Sequence, residues 1–525
     1  MNLATVFWCW VPFLLASESA RGAGVTLITH GLNGNVDEWI IPMASRFQQR
    51  FGALGTNYSC YEFYFTKDAG GNYLLTQRRI GGVDPLNSDT GEIVIKFDWR
   101  QLANDSYSTY DVAAAVVPAL LQADFIPELG GKALAELPIH LIGHSRGGSL
   151  VCEMASLLGA QGIWVDHLTT LDPHPLNNDG FSDFPYGEVD APARVYRNVL
   201  FADNYWQNLN LLARGEPLTG AYNRQLTYLE GGYGGLTASH SDVHLWYHGT
   251  VDLVTPTSDT QATITAAERQ TWWTASEAGG YYAGFYYCLL AGGDRLSNAE
   301  PGGSGNGRIS DGYNRIWDFG AGLAANRYAL PANNGAWPNL IRFNLAGTNR
   351  VAVGQTISMK LYYQSGRDSA QPVDIRIDLD DDFNPYNSNG REIRQWTGPA
   401  TGTNEIRVAN ADYTSNPTNT NPGVYAVCAK ISDGIHTRYL YAPEILTLGP
   451  SLLAPKLGSV VPDGAQVRFT VEGFTGQRVV IQASTNLSEW TQIGTNTLSS
   501  NSVQCVDTQA ASFSRRFYRA FLQPF

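Results

Sequence analysis

The pentapeptide Gly143-His144-Ser145-Arg146-Gly147 sets a serine between two glycines, each one residue removed from it. A serine hydroxyl is a poor nucleophile at neutral pH. It attacks a carbonyl only if an imidazole takes its proton, a carboxylate steadies that imidazole, and N–H groups receive the charge that develops on the carbonyl oxygen. The pentapeptide alone occurs by chance, and its neighbours give it weight. It follows the apolar run Leu137-Pro138-Ile139-His140-Leu141-Ile142 and opens a helical pattern from Gly147 to Gly159. The serine therefore belongs on a tight strand-to-helix turn. A Cβ at either flanking position would strike neighbouring elements there, and the helix N-terminus favours an anion.

Such a turn needs a sheet beneath it. Gly24-Val25-Thr26-Leu27-Ile28-Thr29 and the run before the serine are continuous and β-branched rather than alternating, the pattern of strands buried on both faces. Asp111 to Ala123 and Gly147 to Gly159 read as flanking helices. Short apolar runs alternate with helical patterns from Gly24 to about Pro331, which predicts an α/β class: a mostly parallel central sheet with helices on both faces. Between Gly335 and Gly449 apolar and polar residues alternate, as in Asp374-Ile375-Arg376-Ile377-Asp378, and predict an immunoglobulin-like β-sandwich. Strand patterns at Val467 to Val471 and Arg478 to Ala483 predict a second small β domain, after a linker marked by Pro450, Pro455 and Pro462. The expected division is a signal peptide at 1–19, a catalytic domain at 20–335, the sandwich at 336–450 and the small β domain at 451–525.

From about Gly24 to Pro331 these features resemble the α/β-hydrolase superfamily, and its lipases and esterases in particular. The resemblance implies an α/β-hydrolase fold followed by two β-sandwich-like accessory domains. Thr29-His30-Gly31-Leu32 is similar to the His-Gly element of lipases. This implies an oxyanion hole made by the backbone N–H groups of Leu32 and Arg146. Superfamily order runs serine, acid, histidine, so the base is sought among His167, His174, His240, His244, His248 and His436. His436 falls in the sandwich and His167 just before a strand. The segment from Ser239 to Thr250 resembles lipase and esterase ends reading His-x-x-Val-x-x-Trp-Tyr-x-x-Thr, matched by His240, Val243, Trp246, Tyr247 and Thr250. His240, where a glycine-rich loop meets a helix, is the chosen base. Leu171-Asp172-Pro173 resembles the Leu-Asp-Pro of pancreatic-type lipases and phospholipases A1, which implies Asp172 as the acid. Asp203, ending the following strand pattern, stays open as its competitor. The implied activity is carboxylic ester hydrolysis by a lipase or carboxylesterase through an acyl-enzyme, with an ester or lipid substrate and no metal or organic cofactor.

Composition narrows the alternatives. A formal charge of −13 with 16% charged residues argues against a nucleic-acid partner, whose phosphates require a basic stripe. The apolar run from about Leu3 to Ala16, followed by small residues, has the layout of a secretory signal and predicts a secreted protein; no stretch reaches the length of a bilayer span. Loss of Cys9 with the signal leaves five cysteines, and Cys152 is expected as a buried thiol. His244 and His248 have the spacing of a zinc pair but lack the glutamate of H-E-x-x-H. Asp378 to Asp382 carries alternate carboxylates, yet Phe383 and Asn389 stand where a calcium loop needs glycine and glutamate, so a solvated acidic turn is favoured. The aromatic clusters Tyr61 to Phe65, Tyr205-Trp206, Trp272-Trp273 and Tyr281 to Tyr287 are expected to pack a core or border an acyl pocket. The C-terminal β domains would attach the enzyme to a surface or polymer. Two other readings remain: a non-catalytic surface-binding protein with a hydrolase-like domain, and an acyltransferase using the same triad.

Overall fold

The computed structural model describes residues 23–50, 56–103, 107–176, 189–210, 213–293, 327–330, 335–365, 372–401 and 406–523. The expected signal peptide lies outside them. Eight strands form the first sheet: β1 (Val25–Thr29), β2 (Ser59–Lys67), β3 (Tyr73–Gly82), β4 (Ile93–Asp98), β5 (Ile139–His144), β6 (Val165–Leu171), β7 (Val199–Trp206) and β8 (Tyr222–Gln225). Their order is β3-β2-β4-β1-β5-β6-β7-β8. Only the β2–β3 hairpin is antiparallel. β1, β4, β5 and β6 are buried along their whole length, as their unbroken apolar runs require.

Four helices matter to the site: α1 (Ile40–Ala44), α2 (Thr109–Leu121), α3 (Arg146–Ala160) and α4 (Ala238–Val251). One face of the sheet packs with α2 and α3 around Leu27, Ile95, Leu141, Val116 and Leu150. The other packs with α1 and α4 around Ile28, Val94, Ile142, Met43 and Trp246.

The strands that follow are β9 (Thr257–Ser258), β10 (Thr263–Ile264), β11 (Asn339–Ala346), β12 (Arg350–Ala352), β13 (Thr356–Gln364), β14 (Val373–Asp380), β15 (Arg391–Gly398), β16 (Arg407–Thr414), β17 (Gly423–Ser432), β18 (Thr437–Tyr441) and β19 (Leu446–Gly449). Sheets β11-β13-β16 and β12-β19-β17-β14-β15 enclose a core with Phe343, Leu361, Ile375 and Val427. Last come β20 (Lys456–Asp463), β21 (Gln466–Glu472), β22 (Arg478–Ser484), β23 (Thr491–Thr497), β24 (Ser502–Asp507) and β25 (Phe517–Leu522). Sheets β20-β21-β24 and β23-β22-β25 close over Phe469, Val471, Val479 and Ile481.

The expected α/β class, with its α/β-hydrolase fold and two appended sandwiches, is corrected by this inventory. Strand accounts for 39% of the structure and helix for 18%, so the molecule is mostly β with several sandwich-like sheets. The reason is physical. Helices pack on both faces of the first sheet, but among the described residues everything regular after Asn339 is strand save one short 3-10 turn, and that length carries the content. The middle sandwich is also welded to the first sheet. Phe383, Tyr386, Ala426, Cys428 and Tyr441 belong to the same buried cluster as Leu27 and Leu141. Phe383 N donates to Asp89 O (3.1 Å), and Asn384 Nδ2 donates to Pro85 O (2.6 Å) and Ser88 O (3.0 Å). Among the described residues no helix is long and apolar enough to cross a membrane.

Candidate active site

Ser145 occupies the step between β5 and α3 with φ 57° and ψ −127°. A non-glycine residue there is strained, and the neighbours must hold it. Ser145 N donates to Leu171 O (3.0 Å), while its carbonyl accepts from Gly148 N (2.9 Å) and His174 N (3.0 Å). Both flanking glycines are steric necessities. A Cβ on Gly143 would lie 2.1 Å from Gly147 O, and one on Gly147 would lie 2.5 Å from His30 O. No hydrogen bond to Ser145 Oγ is formed among the described residues, so the hydroxyl is uncommitted.

Asp172 follows the last residue of β6, also at positive φ (45°), and is fully buried. Its Oδ2 lies 2.6 Å from His240 Nδ1. His240, in the first turn of α4, is 11% exposed through its side chain. A carboxylate can only accept, so Nδ1 carries the proton and Nε2 keeps a lone pair. Burial pulls the His240 imidazole down to about 4, and burial likewise pushes the Asp172 carboxyl up, against the two hydrogen bonds from Gln207. Desolvation thus favours a neutral imidazole, the form a general base needs at rest.

Asp203 is not brought to His240. It lies within β7, with Oδ1 2.9 Å from His167 Nε2 and 2.6 Å from Thr169 Oγ1, and Oδ2 accepting from Tyr205 OH (3.0 Å). That buried network also includes His140, stacked on His167 at 3.9 Å.

Leu32 sits on the loop after β1, and among the described residues its N–H has no acceptor. Gly31 presses on the nucleophile: a Cβ there would lie 2.6 Å from Ser145 Cβ. The loop is pinned by His30, buried, with Nδ1 3.0 Å from Gly31 O and Nε2 3.2 Å from Trp99 N. Arg146 begins α3, and its guanidinium is buried against Asp190 with Nε–Oδ2 2.6 Å and Nη2–Oδ1 2.7 Å. Asp190 also accepts from Thr109 N and Leu176 N, so the pair ties the loops around the nucleophile to α3.

Two positioning residues escaped the sequence reading. Gln207 donates to Asp172 from both its backbone N (2.9 Å to Oδ1) and its side-chain Nε2 (2.8 Å to Oδ2). Its own Oε1 accepts from Leu209 N and Asn210 N, which fixes the amide orientation. Nothing in the sequence signals a contact spanning 35 residues. His144 sits at the variable position of the pentapeptide. Its Nε2 is 2.9 Å from His240 O, and a carbonyl only accepts, so His144 donates and is the Nε2–H tautomer.

His244 stacks on Trp39 at 4.5 Å and His248 is buried, and among the described residues no group of three or more His, Cys, Asp or Glu is arranged to hold a metal ion. In the acidic turn Asp382 Oδ2 takes amide hydrogens from Asn387 and Asn389 (2.7 and 3.0 Å), and Asp380 accepts from Tyr441 OH (2.7 Å). Cys60, Cys152, Cys428 and Cys505 are buried free thiols, and Cys288 is buried as well. The aromatic clusters mostly pack cores: Tyr61, Phe63, Tyr205, Trp272, Trp273, Phe285 and Tyr287 are buried, while Tyr281 is exposed.

No family model and no curated protein matches this chain. Among solved structures, it is similar to the CARDB domain of a Pyrococcus furiosus protein in complex with di-metal ions, at 14% identity and TM-score 0.16, over 23% of this chain and 100% of that one. It is also similar to the human OSCAR ligand-binding domain, at 13% identity and TM-score 0.16, over 34% of this chain and 87% of that one. Likenesses this slight leave function to be argued from the site itself.

Proposed function

We propose that this protein is a secreted carboxylic ester hydrolase, a lipase or carboxylesterase, with Ser145 as nucleophile, His240 as base and Asp172 as the acid that orients it. The observation that carries the reading is the 2.6 Å contact between Asp172 Oδ2 and His240 Nδ1, taken with the strained backbone of Ser145 at φ 57°. His240 Nε2 takes the Ser145 proton and the oxygen attacks the ester carbonyl. The N–H groups of Leu32 and Arg146 receive the oxyanion, and Asp172 stabilises the imidazolium. The imidazolium then protonates the departing alcohol, and water releases the acyl group by the same steps in turn. Every role is filled by a group of the chain, so no cofactor enters the scheme.

An apolar acyl chain is favoured by exposed leucines on the loops that carry the site: Leu32, whose own N–H is an oxyanion donor, Leu209 after Gln207 and Leu236 before α4. The test is hydrolysis of p-nitrophenyl esters of rising chain length by the wild type and by Ser145→Ala. The proposal expects turnover that Ser145→Ala abolishes, with an optimum at longer acyl chains. Full activity in Ser145→Ala refutes it, and a short-chain optimum selects carboxylesterase over lipase.

A further inference from the structure

The outer face of the last sheet carries two exposed phenylalanines on either side of an arginine. On β25 the inward residues Tyr518, Ala520 and Leu522 pack the core, so Phe517, Arg519 and Phe521 point outward, the phenylalanines 37% and 39% exposed. At strand spacing this row runs roughly 13 Å from Phe517 to Phe521. Arg519 is held flat. Its Nε and Nη2 donate to Gln482 Oε1 at 2.8 and 2.6 Å, and its guanidinium carbon lies 4.2 Å from the Trp490 ring centroid and 5.9 Å from that of Phe521. A guanidinium so oriented keeps N–H donors for a bidentate oxyanion.

The charge of the face is equally distinctive. Besides the two phenylalanines, the outward positions of β22, β23 and β25 hold Arg478 and Arg519 with Val480, Gln482, Ser484, Gln492, Thr495 and Thr497, and the exposed Glu489 adjoins Trp490 at the edge of the face. Neither arginine is ion-paired with a carboxylate among the described residues. Residues 456–525 carry six Arg or Lys against four Asp or Glu, in a chain whose formal charge is −13. A locally cationic, aromatic surface on an acidic protein is a place for an anionic partner.

We propose that the β22–β23–β25 face binds an acidic polysaccharide, its sugar rings stacked on Phe517 and Phe521 and its carboxylate or sulfate paired with Arg519, which the Trp490 ring braces. Aromatic faces take the apolar C–H side of a sugar, and the amide and hydroxyl side chains take its hydroxyls. A lipid surface is the poorer occupant, because these rings lie flush along a rigid strand instead of projecting from a loop that could enter a bilayer. The inference does not depend on the ester-hydrolase reading.

The experiment is affinity electrophoresis of the full chain in gels containing polygalacturonate, with dextran as the neutral polymer, beside co-sedimentation with phosphatidylglycerol vesicles. Retardation is expected in polygalacturonate alone, lessened by salt. Arg519→Gln and Trp490→Ala should each weaken it about tenfold, in line with losing one stacked cationic contact. Arg468→Gln, on the opposite sheet, removes the same charge and should leave binding unchanged. Because Arg519 is solvent-exposed, Arg519→Gln should keep the wild-type melting temperature and carries the test even if Trp490→Ala fails to fold. Absence of retardation, equal retardation by dextran, equal weakening by Arg468→Gln, or binding to vesicles instead of polymer overturns the proposal.

Discussion

Replacing Asp172 by asparagine, beside the same change at Asp203, separates chemistry from architecture. Asp172 accepts three N–H donors: Gln207 N on Oδ1, and Gln207 Nε2 and His240 Nδ1 on Oδ2. Gln207 cannot turn its amide to adapt, since Oε1 is committed to Leu209 N and Asn210 N. Asparagine therefore keeps its oxygen at the Oδ2 position, serving two donors, and sets its NH2 against Gln207 N–H. That mismatch costs about 1–3 kcal/mol of stability. The larger effect is on the reaction. At the 2.6 Å separation and an effective dielectric of about 20, a carboxylate attracts the imidazolium by at most roughly 6 kcal/mol, and this charge exists only as the transition state is reached. A fall in kcat of about 10³- to 10⁴-fold is expected, equivalent to about 4–5 kcal/mol, with KM little changed. In Asp203→Asn the lost acceptors belong to His167, Thr169 and Tyr205, so the melting temperature should drop while kcat stays within about tenfold. Kinetics with a p-nitrophenyl ester, next to thermal melts of both variants, give the comparison. Equal activity in Asp172→Asn and wild type, or collapse of activity in a folded Asp203→Asn, would refute the reasoning.

Gln207→Ala removes the side-chain donor that steadies Asp172 and should lower kcat about 10- to 100-fold without a matching rise in KM, as a KM-against-kcat split would reveal. Glu92 is buried and accepts a hydrogen bond from Thr26 Oγ1 (3.0 Å), and burial raises its carboxyl to about 8. The folded state then holds a proton the unfolded chain releases near 4.5, so stability falls as pH rises between those values. Glu92→Gln should flatten that dependence and raise stability at pH 8 by a few kcal/mol, read from chemical denaturation at several pH values. Truncation after residue 335 strips Phe383, Tyr386, Ala426, Cys428 and Tyr441 from the core shared with the first sheet. The shortened chain should lose its cooperative melt, whereas truncation after residue 450 should preserve both the melt and esterase activity.

What could be read from the sequence follows from how local each determinant is. The strand-turn-helix around Ser145 is encoded in consecutive residues, including two glycines whose absent Cβ atoms make room for Gly147 O and His30 O. The sequence favours Asp172 over Asp203 only through the resemblance of Leu171-Asp172-Pro173, because each aspartate ends or lies in a strand pattern and only the sheet's register shows which faces His240. Gln207 and His144 act across 35 and 96 residues through hydrogen bonds that leave no periodic trace. The sandwiches after Gly335 are legible as alternating patterns, but the class of the whole follows from total content, in which strand at 39% outweighs the 18% of helix. The middle sandwich reads as an appended module along the chain, yet Phe383 and Asn384 dock it on the segment from Pro85 to Gly91.

The central claim, that Ser145 is an activated nucleophile, is tested most directly by reaction with a fluorophosphonate ester and mass mapping of the adduct. The account predicts one label per chain on the peptide carrying Ser145, formed rapidly in the wild type and slowed at least about a hundredfold in a folded His240→Ala variant. An unlabelled folded wild type, or a label on any other residue with Ser145 untouched, would contradict it.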